Sequence, residues 1–171
     1  THLLGEALAL DALGRFLEAA PESANWRQLG SYWLDTCLAR QVTDDGSYFE
    51  QSSFYHIYAL DMFLLAAIWR REGQRQDSLD RMAIFAQSML GADGRLPLLG
   101  DDDGGRLFHP FGPRPEFGRG TMAVYAALGG TIHGDAAWLD REAACPLAAW
   151  WLGARAARCW ETPRHPAIGS R

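Results

Sequence analysis

The chain has 171 residues, 48% apolar and 22% charged, an ordinary soluble composition with enough apolar side chains for one sizeable core. Its formal charge is −5, and all 16 basic residues are Arg with no cluster larger than Arg70-Arg71, so a nucleic-acid partner, which needs a basic face, is not expected. No apolar run is long enough to span a bilayer, and the three cysteines, Cys37, Cys145 and Cys159, lack metal-type spacing and are an odd number, which excludes a fully paired disulfide framework.

In chain order the pattern is helical almost throughout. Apolar residues recur at Leu4, Leu8, Leu10, Leu13 and Leu17 with a helical period. Pro21 and Ser23 end that helix, and Asn25 can cap the next, which carries Trp26, Leu29, Trp33, Cys37 and Leu38 on one face. Asp45-Gly46 stops the pattern with turn chemistry. Ser52 or Ser53 opens a long helix to about Arg71, apolar around most of its circumference and therefore an inner helix. Glu72-Gly73 ends it, and Ser78 caps a fourth helix with Leu79, Met82, Phe85 and Leu90. From Gly91 to Phe117 the chain is rich in Gly and Pro; loops of this length in compact domains tend to be functional. Helix resumes from Thr121 to about Leu128, and again from about Asp140 to Trp151 with a continuation to about Cys159. No strand ladder is evident. Asp45-Gly46 and Asp93-Gly94, 48 residues apart, each follow a helix and precede a polar, aromatic loop, an offset that fits one helical hairpin in a solenoid or closed toroid.

Three clusters could carry chemistry. His2 and Glu6 are four apart and share a helix face at its N-terminal end. Asp45 to Tyr58 packs Tyr48, Glu50, Gln51, Tyr55, His56 and Tyr58 around a helix start. Gly94-Arg95-Leu96-Pro97 leads to Gly100-Asp101-Asp102-Asp103-Gly104-Gly105-Arg106, then Phe108-His109-Pro110. Each has a plain structural reading beside the functional one. His2 is also what a helix surface carries, Tyr55 and Tyr58 would serve as core aromatics, and the Asp run would serve as a solvated turn. That run lacks the ligand alternation of a calcium loop, and no metal or other cofactor is expected. Two carboxylates for glycoside hydrolysis could be drawn from Glu6, Glu50 and Asp101 to Asp103. Seven Trp suit a carbohydrate groove as well as a core, because sugar faces stack on flat rings.

Taken together, the clusters resemble a known family. His2-Leu3-Leu4-Gly5-Glu6-Ala7-Leu8 resembles the helix that opens the first active-site motif of heparinase II/III-like polysaccharide lyases. Asp45-Gly46-Ser47-Tyr48-Phe49-Glu50-Gln51-Ser52, followed by Tyr55-His56 and Tyr58, resembles the second, and the run from Gly94 to Gly105 the third. They follow the family's order and cover most of residues 1–125; after Pro146 the match is loose.

The resemblance implies an all-α fold, an incomplete α/α toroid of antiparallel helical hairpins, with residues 1–161 as one helical domain and 162–171 as a Pro-rich tail or linker. It implies a lyase that cleaves uronic-acid-containing acidic polysaccharides by β-elimination, with Tyr55 as the catalytic tyrosine, an acid that in such lyases sometimes also serves as base, and His2 as carboxylate neutraliser or orienting group. Glu50, Gln51, His56, Tyr58, Glu6, Asp101 and Asp103 are the implied substrate-binding residues. His56 projects about 100° from Tyr55 on an ideal helix, so the two cannot serve one sugar atom equally. The family carries an Asn just before the position of Thr1 and a β-sandwich domain downstream, and neither is read in this chain. The expectation is therefore a piece of a longer protein, inactive or very weak alone, whose full form is periplasmic or secreted. His109, His133 and His165 match no motif. A glycoside hydrolase on a similar toroid and a non-catalytic glycan-binding scaffold are the alternatives.

Overall fold

The structure, a computed structural model, describes residues 1–70, 77–109, 112–134, 136, 138, 139, 141–157, 164 and 165, with the backbone alone for 141–145, 157, 164 and 165. Its helices form consecutive hairpins. The first pairs α1 (His2–Phe16) with α2 (Ser23–Gln41). The α1 stripe that faces inward is Leu4, Ala7, Leu8, Asp11 and Gly14, the three-and-four spacing of a half-buried helix. On α2 the buried residues are Gly30, Leu34, Cys37 and Leu38. The expected face was rotated: Leu29 is 48% exposed, because the helices meet at Gly30, where a Cβ would lie 2.3 Å from the backbone nitrogen of Asp11.

Helix α3 (Ser53–Arg70) is buried on nearly every side, as its all-round apolar pattern predicts. It contacts α1, α2, α4 (Asp77–Met89) and α5 (Phe117–Ala127). Ser52 is its cap, accepting a hydrogen bond on Oγ from the Tyr55 N–H at 3.2 Å. The expected end of this helix at Glu72-Gly73 lies outside the described residues.

Helix α5 starts four residues before the predicted Thr121. Gly118 and Gly120 suggest a loop, yet both are buried helical positions. A Cβ at Gly118 would lie 2.7 Å from Leu90 Cδ2, so a larger residue there would have to displace the end of the Leu90 side chain. Helix α6 (Arg141–Leu152) packs on α5 and continues into a 3-10 turn, Gly153–Ala157. A two-residue parallel pair joins β1 (Ile132–His133) to β2 (Arg164–His165). It was not anticipated, and it places part of the expected tail against the helical body; the rest of 162–171, and Cys159, lie outside the described residues. Cys37 is free and buried.

The hairpins make two layers. Helices α1, α3 and α5 contact in sequence on one layer, and α2 contacts α4 on the other. The chain is mostly helical, and no helix among the described residues is long and apolar enough to cross a membrane.

Candidate functional site

Alternation of the hairpins brings the N-terminal ends of α1 and α3 together at one end of the molecule. Three segments meet there and line an open cavity of about 570 Å³: Thr1, His2, Gly5 and Glu6 from α1; Glu50, Tyr55, Tyr58 and Met62 from the α3 entry and helix; and Asp101, Asp103 and Gly105 from the long loop. Residues 49 positions apart thus share a wall, and the Thr1 hydroxyl donates to Glu50 Oε2 at 3.1 Å.

The long loop reaches the cavity because α3 holds it. Ser52 Oγ donates to the Asp101 carbonyl at 2.5 Å and Ser53 Oγ to the Pro97 carbonyl at 2.5 Å, while the Ser53 N–H donates to the Leu99 carbonyl at 3.0 Å. Arg114 clamps the Asp102 carboxylate and donates to the Gly105 carbonyl at 3.1 Å. Asp102 therefore faces away from the cavity into an ion pair, whose Arg114 hydrogen bond holds its carboxyl below the usual range. Sequence reasoning missed this clamp, since neither the 12-residue separation nor the residue types distinguish Asp102 from its neighbours.

Tyr55 and Asp103 both line the cavity. Asp103 is held ionised first by the Gly105 N–H, at 2.9 Å, and then by a hydrogen bond from the Tyr55 hydroxyl, with Arg114 and His2 adding positive charge. The same hydrogen bond is the main reason Tyr55 titrates above an ordinary tyrosine, with burial second. Tyr58 is also raised, first by burial and then by the Asp103 charge. Donating to a carboxylate favours the phenol over the phenolate, so Tyr55 is kept as a neutral proton donor.

Seven of the nine residues singled out from the sequence therefore line one cavity: His2, Glu6, Glu50, Tyr55, Tyr58, Asp101 and Asp103. Two do not. Gln51 is exposed at the corner before α3, in a left-handed conformation (φ 55°) that non-glycine residues seldom adopt, so it shapes the turn between Glu50 and Ser52. His56 is 2% exposed, its Nε2–H donating to the Met82 carbonyl at 2.9 Å. Its ring tilts against Phe85 with centroids 5.2 Å apart, and burial pushes its pKa down to about 4. It is a neutral core group on the far side of α3 from Tyr55, in keeping with the 100° between successive residues. Tyr48 is likewise core, 1% exposed and bonded to Gln41.

The cavity offers four carboxylates, two phenols and one imidazole. Carboxylates accept hydrogen bonds from sugar hydroxyls, whereas an acidic group needs a cation, which His2 can supply from the rim.

A family model described as Heparinase II/III N-terminus matches residues 1–89. A heparin-sulfate lyase of Bacteroides stercoris is 29% identical over 108 residues, 58% of this chain and 16% of the relative. A heparin-sulfate lyase of Pedobacter heparinus is 47% identical over 45 residues, 26% of this chain and 7% of the relative. The matched stretches thus span less than a fifth of the curated relatives. No solved structure matches the chain.

Proposed function

This chain belongs to the heparinase II/III family, and on that premise we propose that it forms one wall of a polysaccharide lyase that cleaves uronic-acid-containing acidic glycans by β-elimination. The observation that carries this reading is the convergence of three separated motifs on one cavity around a neutral Tyr55. Elimination removes the C5 proton beside the uronate carboxylate and expels the C4 oxygen. That proton becomes removable only when the carboxylate charge is neutralised, a role that falls to His2 together with groups outside this chain. Tyr55 protonates the departing C4 oxygen, and the C5 proton passes to a base supplied from outside this chain. Glu6, Glu50, Asp101 and Asp103 accept hydrogen bonds from hydroxyls of the neighbouring sugars, with Tyr58 as a flanking wall.

The hairpins, with α1, α3 and α5 on one layer, are read as an arc of an α/α toroid. The curated relatives are several times longer than this chain, which supports further helices and a downstream β-sandwich closing the groove. The arc by itself is accordingly expected to be inactive.

The test is product analysis of the complete protein on heparan sulfate and on other acidic glycans. Elimination leaves a C4=C5 double bond that absorbs in the ultraviolet. New reducing ends without that absorbance would favour the second reading, a glycoside hydrolase, which four carboxylates in one cavity make chemically feasible.

A further inference from the structure

The loop that walls the cavity does not stop there. Gly105 lines the cavity beside Tyr58, and from it the chain runs on to His109, whose Nε2–H donates to Asp61 Oδ2 at 2.5 Å. Tyr58 and Met62 of α3 also line the cavity. Asp61 is three residues on from Tyr58, about 4.5 Å along the helix axis, so residues 106–109 lie at the edge of the cavity.

Exposure alternates along this stretch. Leu107 and His109 turn inward, and Arg106 and Phe108 turn outward, as successive side chains of an extended chain do. The inward side is anchored. The His109 and Asp61 side chains are 4% and 1% exposed, Thr121 Oγ1 donates to Asp61 Oδ1 at 2.7 Å, and the His109 ring stacks on Phe117 with centroids 4.1 Å apart. The outward side is open. The Phe108 ring meets Trp150 of α6 edge to face with centroids 5.4 Å apart, yet the two residues remain 55% and 62% exposed. Rings held in place by such an anchor bind a flat partner with little further ordering cost.

Arg106 supplies a charge that the cavity lacks. Four carboxylates and no guanidinium line the cavity, whereas a uronate carboxylate is held best by a cation. Arg114 is taken up by Asp102. Arg106 follows Gly105, is exposed, and joins no ion pair among the described residues; its guanidinium rests 5.9 Å from the Phe117 ring centroid.

We propose that Arg106, Phe108 and Trp150 form a second sugar subsite continuous with the cavity. The two rings carry the apolar face of a pyranose further along the glycan, and Arg106 binds a uronate carboxylate between that sugar and the cavity. That the ligand is a uronate polymer rests on the lyase reading.

The test is calorimetric binding of heparan sulfate oligosaccharides of increasing length to the complete protein carrying Tyr55→Phe, so that substrate is not consumed. Trp150→Leu and Phe108→Leu keep an apolar side chain but remove a flat ring. Each is expected to weaken binding roughly 3- to 10-fold, with the loss growing as the oligosaccharide extends beyond the cavity. Trp150→Tyr keeps a flat ring and most of the affinity. Arg106→Gln weakens binding roughly 2- to 5-fold, and only for oligosaccharides whose carboxylates have not been reduced to alcohols. Leucine variants that bind every length as tightly as the parent overturn the proposal, and so does a loss at Trp150→Tyr equal to that at Trp150→Leu. Rings covered by another domain of the complete protein would give unchanged affinity with a lowered melting temperature, which also overturns it. An Arg106→Gln loss that survives carboxyl reduction overturns the role of Arg106. Binding is read without turnover, so a complete protein that follows the expected pattern yet leaves no ultraviolet-absorbing product overturns the lyase reading alone.

Discussion

Among the tyrosines near the α3 entry, Tyr55 lines the cavity with Asp103, and Asp103 is the main cause that raises its pKa. Tyr48 is sealed in the core on Gln41, and Tyr58 is raised mainly by burial. A phenol that stays protonated is suited to protonate a leaving oxygen. In the complete protein Tyr55→Phe is expected to lower kcat by about 10²–10⁴-fold, whereas Tyr58→Phe is expected to act mainly on KM; steady-state product absorbance measures both. Asp103→Asn should move the alkaline limb of the pH–rate profile to lower pH, because it removes the group that disfavours phenolate. His56 gives a prediction of a different kind. Folded, it titrates near 4; unfolded, near 6.5. Its neutral form is buried with Nδ1 unpartnered, so protonation would create a buried N–H without an acceptor. Its contribution is fully present above pH 6.5 and is lost as pH falls from 6.5 toward 4, by about 3 kcal/mol in total. Urea midpoints across that window should fall in the native chain and fall less in His56→Gln.

At the scale of elements, the α3 entry and the long loop form one unit, since Ser52 and Ser53 hold four backbone groups of residues 97–101 between them, the carbonyls of Pro97, Leu99 and Asp101 and the Leu99 N–H. The sequence places a helix start at Ser52 or Ser53 and marks 91–117 as a functional loop, but it contains no signal that joins the two. Their contacts span 44 to 49 residues, and hydroxyl-to-carbonyl bonds leave no periodicity. Close helix contacts escape for a similar reason. Neither Gly30 nor Gly118 stands out in the helical pattern, and in both cases the space of the missing side chain is occupied by a neighbouring element. Gly→Ala in an exposed helix stabilises by about 1 kcal/mol. Gly30→Ala is expected to do the opposite, costing about 1–3 kcal/mol through overpacking against the Asp11 backbone, as read from equilibrium urea unfolding.

For the whole molecule, the decisive relation is between the two layers of hairpins and the position of their ends. Because α1 and α3 pack against each other with their first turns on the same cavity, the loop before α5 can complete its wall. The motifs at residues 2–6, 45–58 and 94–105 were legible one by one, since helix periodicity, turn residues and residue chemistry are local properties, and their shared likeness to one family is legible from order and spacing. Local properties also separated Tyr55 from His56, as neighbours on a helix cannot face one target. What the chain's own letters determine is therefore the helical class, the inner character of α3 and the inventory of reactive groups. Only the tertiary structure decides which of three adjacent aspartates faces Tyr55, that Asp102 is spent on Arg114, and that His109, which no motif claimed, is bound to a buried Asp61. Those choices depend on distances between residues far apart in the chain, and such distances are set by packing rather than by neighbouring letters.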